Sequence, residues 1–152
     1  MNRKQKNLKL KVLFNASVVL SGLRSKKGGS GKLLELARIG KIDGIISEIV
    51  FDEVLKHSGR LGFTTATAVV KNIQIFKEIL PAPDESIVKK CKKMVIDEGD
   101  AHVLASCKER KIKHLVTLDK KHLLVLKGKI KGLNILTPGE LVEVVKENRT
   151  LI

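Results

Sequence analysis

The sequence predicts an α/β domain: a three-layer α/β/α sandwich around a mainly parallel central sheet of about five strands. Three observations carry this prediction. Short β-branched apolar runs alternate with longer stretches of helical spacing, as in parallel strands joined by crossovers. The chain has 152 residues, the size of one domain, and 43% are hydrophobic, enough to bury a core. No internal repeat or low-complexity linker interrupts the alternation.

The elements follow in order. Residues Met1 to Asn7 form a polar, basic tail, residues 8–148 the domain, and 149–152 a short C-terminal tail. Leu8 to Phe14 reads as a strand and Ser17 to Leu23 as the first turns of a helix. Arg24 to Gly31, rich in Gly and Lys, reads as a loop. Lys32 to Ile39 has helical spacing and stops at Gly40. Ile45 and Ile46 make a strand ending at Ser47, an N-cap for a helix over Glu48 to His57. Gly59 and Gly62 mark a turn, Thr65 to Ile75 a helix, and Ile75 to Leu80 a strand before Pro81 and Pro83. Asp84 caps a helix over Glu85 to Met94, and another helix opens near Asp100. His114 to Leu118 and Asn134 to Leu136 are strands. Thr137, Pro138 and Glu140 then supply an N-cap, an N1 proline and an N3 acid, a capping box for the last helix.

Composition narrows the function classes. With 30 Lys+Arg against 16 Asp+Glu, the formal net charge is +14. Such a surface favours a polyanionic partner, because each cation beside a phosphate releases condensed counterions. Thermophily or biased base composition also produces lysine-rich surfaces. There is no Trp, no Tyr and only four Phe, which argues against folds that stack bases on exposed aromatics. Cys91 and Cys107 belong to no CxxC pair, so neither a disulfide framework nor a structural zinc site is expected, and a reducing, cytoplasmic setting is. Lys9 to Leu23 superficially resembles a signal peptide, but Asn15 and Ser17 interrupt its apolar run. No segment reaches the roughly 20 apolar residues that span a bilayer, so no membrane partner is expected.

Open α/β sheets bind ligands beyond the carboxyl ends of their strands. Asn15 follows the first strand, Ser47 the second, and Asp119 ends the fourth. Glu53 lies a turn and a half into its helix, on a face that can point back to this edge. Asp97, Glu98 and Asp100 gather at the start of the helix leading to the fourth strand. Four segments thus deliver oxygen ligands to one edge, which suits magnesium or manganese. Taken singly, Asp100 and Asp119 read as helix caps, Glu53 as a solvated helix residue, and Thr117 as an ordinary strand residue. The set and its flanks carry the argument.

Those flanks resemble the PIN-domain family. Val12-Leu13-Phe14-Asn15-Ala16-Ser17-Val18-Val19-Leu20-Ser21 is similar to its opening strand, Asp-x-Asn/Ser and helix. Ile46-Ser47-Glu48 with Asp52-Glu53-Val54-Leu55 resembles the second motif, and Asp97-Glu98-Gly99-Asp100-Ala101-His102-Val103-Leu104-Ala105 the third. Leu115-Val116-Thr117-Leu118-Asp119-Lys120-Lys121-His122-Leu123-Leu124 resembles the fourth. The four arrive in order over about Leu8 to Val145. The resemblance implies a Mg2+- or Mn2+-dependent ribonuclease, such as the toxin of a VapC-like toxin–antitoxin pair. On it, Asn15, Glu53, Asp100 and Asp119 form the metal set, Glu53, Asp100 and Asp119 are catalytic, and Ser17, Asp97 and Thr117 support them. RNA is the implied substrate, with an antitoxin protein and a second copy as further partners.

The chain departs from the family at Asn15, where the first Asp belongs. An amide offers a carbonyl oxygen but no charge, so it holds a divalent cation less strongly and cannot take up a proton. Loss of catalysis, a deliberate inactivating substitution, and compensation by Asp97 or Glu98 all remain open. The alternative to a nuclease is a PIN-like module that binds RNA or protein without cutting; a protein-only scaffold is a third reading.

Other motifs fall short. Gly28-Gly29-Ser30-Gly31-Lys32 lacks the first glycine and final Ser/Thr of a Walker A loop; a basic loop touching RNA backbone through Lys26, Lys27 and Lys32 fits better, and plain flexible linkage better still. His57, His102, His114 and His122 make no HExxH pair, and His102 reads as a helix surface or packing residue.

Overall fold

A computed structural model describes residues 9–61 and 71–151. Its five strands are β1 (Lys11–Phe14), β2 (Asp43–Ser47), β3 (Glu78–Leu80), β4 (His114–Val116) and β5 (Asn134–Leu136). They form one sheet in the order β3-β2-β1-β4-β5, and every pairing is parallel. The helices are α1 (Ala16–Arg24), α2 (Gly29–Arg38), α3 (Glu48–His57), α4 (Glu85–Lys92), α5 (Ala101–Arg110) and α6 (Pro138–Leu151). The three-layer sandwich expected from the sequence is the observed fold.

Strand alternation sorts side chains into two cores. Val12, Phe14, Ile46 and Val116 pack with α1, α2, α3 and α6, through residues such as Val18, Leu33, Val50 and Leu141. Leu13, Ile45, Leu115 and Ile135 point the other way, onto Cys91 of α4 and Val103, Leu104 and Cys107 of α5. Both faces are covered, which is why the strands read as continuous apolar runs and not as alternating ones. Phe14 and Phe76 meet edge to face, with ring centroids 5.2 Å apart.

Several boundaries match the sequence and others shift for identifiable reasons. Ser47 caps α3 by accepting from the Val50 N–H at 3.1 Å. Thr137 and Glu140 form the reciprocal capping box, at 3.2 and 3.0 Å. The expected loop Arg24 to Gly31 is shorter, because α2 begins at Gly29. Its first turn is glycine-rich for a packing reason. A Cβ on Gly31 would lie 2.5 Å from the carbonyl oxygens of Ser25 and Lys26, and one on Gly29 would lie 3.3 Å from Pro138. Helix α4 stops at Lys92 and not Met94, β3 starts at Glu78 and not Ile75, and β4 stops at Val116 and not Leu118. The last helix runs to Leu151, into the stretch read as a tail. Residues 71–73 are helical; the rest of the helix expected from Thr65, the tail Met1 to Asn7 and the turn residue Gly62 lie outside the described residues.

Candidate metal centre

Strand order places the site. From β1 the chain moves outward to β2 and β3, then returns to the other side of β1 with β4 and β5. The carboxyl ends of β1 and β4 therefore flank the topological switch, where open α/β sheets make their ligand crevice. Asn15 and Thr117 sit on those two ends and bond directly: Asn15 Nδ2 donates to Thr117 Oγ1 at 2.8 Å. Both side chains are buried. The Ala16 N–H donates to Asn15 Oδ1 at 2.9 Å, capping α1 and fixing which end of the amide faces Thr117. The same Thr117 hydroxyl accepts from the Asp119 N–H at 3.1 Å, and Ser17 Oγ accepts from the Leu118 N–H at 3.2 Å. Asn15, Ser17, Thr117 and Asp119 are thus one bonded unit.

Asp119 turns the chain after β4. Its Oδ1 accepts from the His122 N–H at 3.0 Å, and its Oδ2 lies 3.2 Å from His122 Nδ1. The His122 ring reaches across to Asp100 Oδ2, 3.8 Å away. Asp97, Asp100 and His122 each bring one ligand atom within 4.8 Å of the others. Asp97 also accepts from the Gly99 N–H at 2.9 Å, which orders the turn ahead of α5. Asp100 occupies the N-cap position of α5 but makes no capping bond with its side chain, so its carboxylate is left to face the cluster.

The energetics of Asp100 are unfavourable as the protein stands. Its Oδ2 is buried and has no hydrogen-bond partner. Burial, then the charges of Asp119 and Asp97, push its pKa above the ordinary carboxylate value; His122 and His102 pull the other way. A partly buried carboxylate among like charges is relieved either by taking up a proton or by a neighbouring cation.

Glu53 is not among the residues of this cluster. Its Oε1 lies 3.3 Å from His102 Nε2, so it joins the group through the second residue of α5. If Nε2 carries the proton of a neutral ring, His102 Nδ1 is left with a lone pair; this atom is buried and also unpartnered. Lys26, Lys27 and Lys32 are exposed around the start of α2, which Gly29 anchors beside Pro138 at the carboxyl end of β5. Lys26 and Lys32 line a shallow pocket of about 390 Å3 between α2 and α6, with Glu35 in its wall.

Two site members escaped sequence reasoning. His122 was visible only as part of a motif, though its spacing of three from Asp119 hints at the contact. His102 was read as a surface or packing residue; its contact with Glu53 joins α5 to α3 and has no local signature.

Comparison with known proteins agrees with this architecture. The family model described as PIN domain matches residues 11–121. Among solved structures, the crystal structure of PAE2754 from Pyrobaculum aerophilum superposes with a TM-score of 0.60 at 20% identity, covering 91% of this chain and 90% of that one. At that identity the likeness is one of fold. No curated protein matches the chain. With its family match running from β1 past Asp119, over most of its length, the chain belongs to the PIN-domain family.

Proposed function

We propose that the protein is a metal-dependent RNA endonuclease whose activity is lowered by Asn15. The observation that carries this reading is the buried Asp100 oxygen, which has no hydrogen-bond partner and lies beside Asp97, Asp119 and His122 at the switch point of the sheet. The donor set fits a divalent cation: Asp97, Asp100 and His122 would hold it, with Asp119 beside them and Glu53 reaching the group through His102. A carboxylate set with one imidazole suits manganese better than magnesium, because the ring nitrogen is a softer donor than oxygen. Such a cation, when bound, polarises a phosphate oxygen and lowers the pKa of a water.

The residues of the chain have their own roles in this reading. Thr117 and Ser17 hold the turn at Leu118 and Asp119, so that the Asp119 carboxylate meets the His122 ring. His102 orients Glu53. Lys26, Lys27 and Lys32 draw the RNA backbone toward an acidic pocket that would otherwise repel it. A reducing cytoplasm fits two unpaired cysteines. The toxin role, an antitoxin partner and homodimerisation belong to the same reading and rest on the family resemblance.

One observation favours the second reading, an RNA-binding module that does not cut. Both ends of the Asn15 amide are engaged within the protein, and it adds no charge to the cluster. The discriminating experiment follows cleavage of a mixed RNA pool in Mn2+, with and without chelator, by wild type and Asp100→Asn. Slow cleavage by wild type that is lost with chelator and in the variant supports the nuclease. Equal cleavage by the two proteins refutes this site, and salt-sensitive RNA binding without cleavage favours the module.

A further inference from the structure

A second concave site lies at the opposite edge of the sheet, where Lys111 to Lys113 lead into β4 and Lys129 to Leu133 into β5. Its volume is about 560 Å3, within the range of roughly 300–1,000 Å3 typical of small-molecule sites. The floor is aliphatic. Leu104, Ile112 and Leu133 come from the second core, and Ile130 and the half-exposed Met94 stand at the mouth. Cys91 and Cys107 complete it. Burial pushes the Cys107 thiol up to about 12, so it stays protonated and counts as an apolar group.

The rim carries charge of one sign. Lys108, Lys111, Lys113, Lys129 and Lys131 all line the cavity, and among the described residues no carboxylate does. Among the described residues none of these five lysines forms an ion pair with a side chain. Local geometry holds them there. Gly128 and Gly132, both at φ 78°, turn the chain at each end of Lys129-Ile130-Lys131, and Ile130 sits partly buried between two exposed lysines. Lys111 ends α5 at φ 54°, a left-handed position that glycine takes without strain. A lysine there is strained and adds a cation to the rim.

An apolar floor lined at its rim by lysines without a carboxylate partner matches a ligand with an aliphatic tail and an anionic head. Among the described residues the cavity is lined by no aromatic ring and no side-chain amide or hydroxyl, groups that would stack on or read a nucleotide base. We propose that this cavity binds a free medium-chain aliphatic carboxylate, tail on the Leu104–Ile112–Leu133 floor and head among the lysines. The proposal is independent of the nuclease reading.

The test is calorimetric titration of the full chain with decanoate, beside the neutral alcohol decanol. Decanoate binds and decanol binds about tenfold or more weakly, since the head group contributes at least one charge-assisted contact. The surface variant K129E/K131E weakens decanoate by about tenfold while its thermal melt stays near wild type, and Met94→Trp, which crowds the mouth, weakens it too. Absence of decanoate binding overturns the proposal, as does equal binding of decanol. Decanoate binding unchanged in K129E/K131E, with RNA binding reduced, also overturns it and assigns these lysines to RNA.

Discussion

At the scale of single residues, the proposed metal chemistry turns on Asn15 and Asp100. Because the Ala16 N–H can donate only to oxygen, the Asn15 amide must donate its N–H2 to Thr117. An aspartate there reverses that bond: the Thr117 hydroxyl donates, and a fourth carboxylate joins the edge. Asn15→Asp is therefore expected to tighten Mn2+ binding by about tenfold, equivalent to about 1.4 kcal/mol, and to raise RNA cleavage, both measured beside wild type; unchanged affinity would place Asn15 outside the metal site. Asp100 makes a prediction about pH. Its pKa is raised in the folded protein, so the folded state binds a proton there more tightly than the unfolded state. The stability this contributes is complete below the unfolded carboxylate pKa and is lost as pH rises through the raised value. Thermal melts without metal should accordingly lose stability across that window in wild type and lose less in Asp100→Asn. The residue scale is also where sequence reading was weakest. The positions of Asn15 and Asp119 after β1 and β4, and of Asp100 at the start of α5, are legible in local motifs. The roles of His102 and His122 depend on α3 meeting α5, and on the turn after β4 meeting the start of α5, contacts that no local spacing encodes.

At the scale of elements, what was legible had local chemistry. Helix α3 begins at Ser47 and α6 at Thr137 because a side-chain oxygen satisfies a free N–H in each first turn. Strands β2, β4 and β5 announced themselves by apolar runs buried on both faces. The start of α2 was missed because Gly28, Gly29 and Gly31 have low helix propensity, and their reason for being there is tertiary. Gly31 lies against the backbone of Ser25 and Lys26 where no side chain fits. Gly31→Ala should thus destabilise the protein by about 1–3 kcal/mol, despite alanine's better propensity; a stabilised variant in chemical denaturation would contradict the packing described. Lys111→Gly should act in the opposite direction. Relief of the left-handed strain at the end of α5 is expected to stabilise by about 1 kcal/mol in the same measurement.

At the scale of the whole molecule, charge and topology divide the labour. A net charge of +14 surrounds an acidic cluster at the one edge where the strand order reverses. In the proposed nuclease, long-range attraction would bring a polyanion to the surface and the cluster would meet it locally. If Lys26, Lys27 and Lys32 each neutralise a phosphate, replacing all three by alanine should flatten the salt dependence of single-stranded RNA binding by about 2 log units per log unit of salt. An unchanged slope would move the RNA path elsewhere. Among the described residues no helix is long and apolar enough to cross a membrane. The most direct test of the central claim is a calorimetric titration of wild type and Asp100→Asn with Mn2+. Saturable binding by wild type that disappears in Asp100→Asn, with the variant still folded, is the predicted result. Equal binding by both proteins, or none by wild type, would contradict a metal centre at this edge of the sheet.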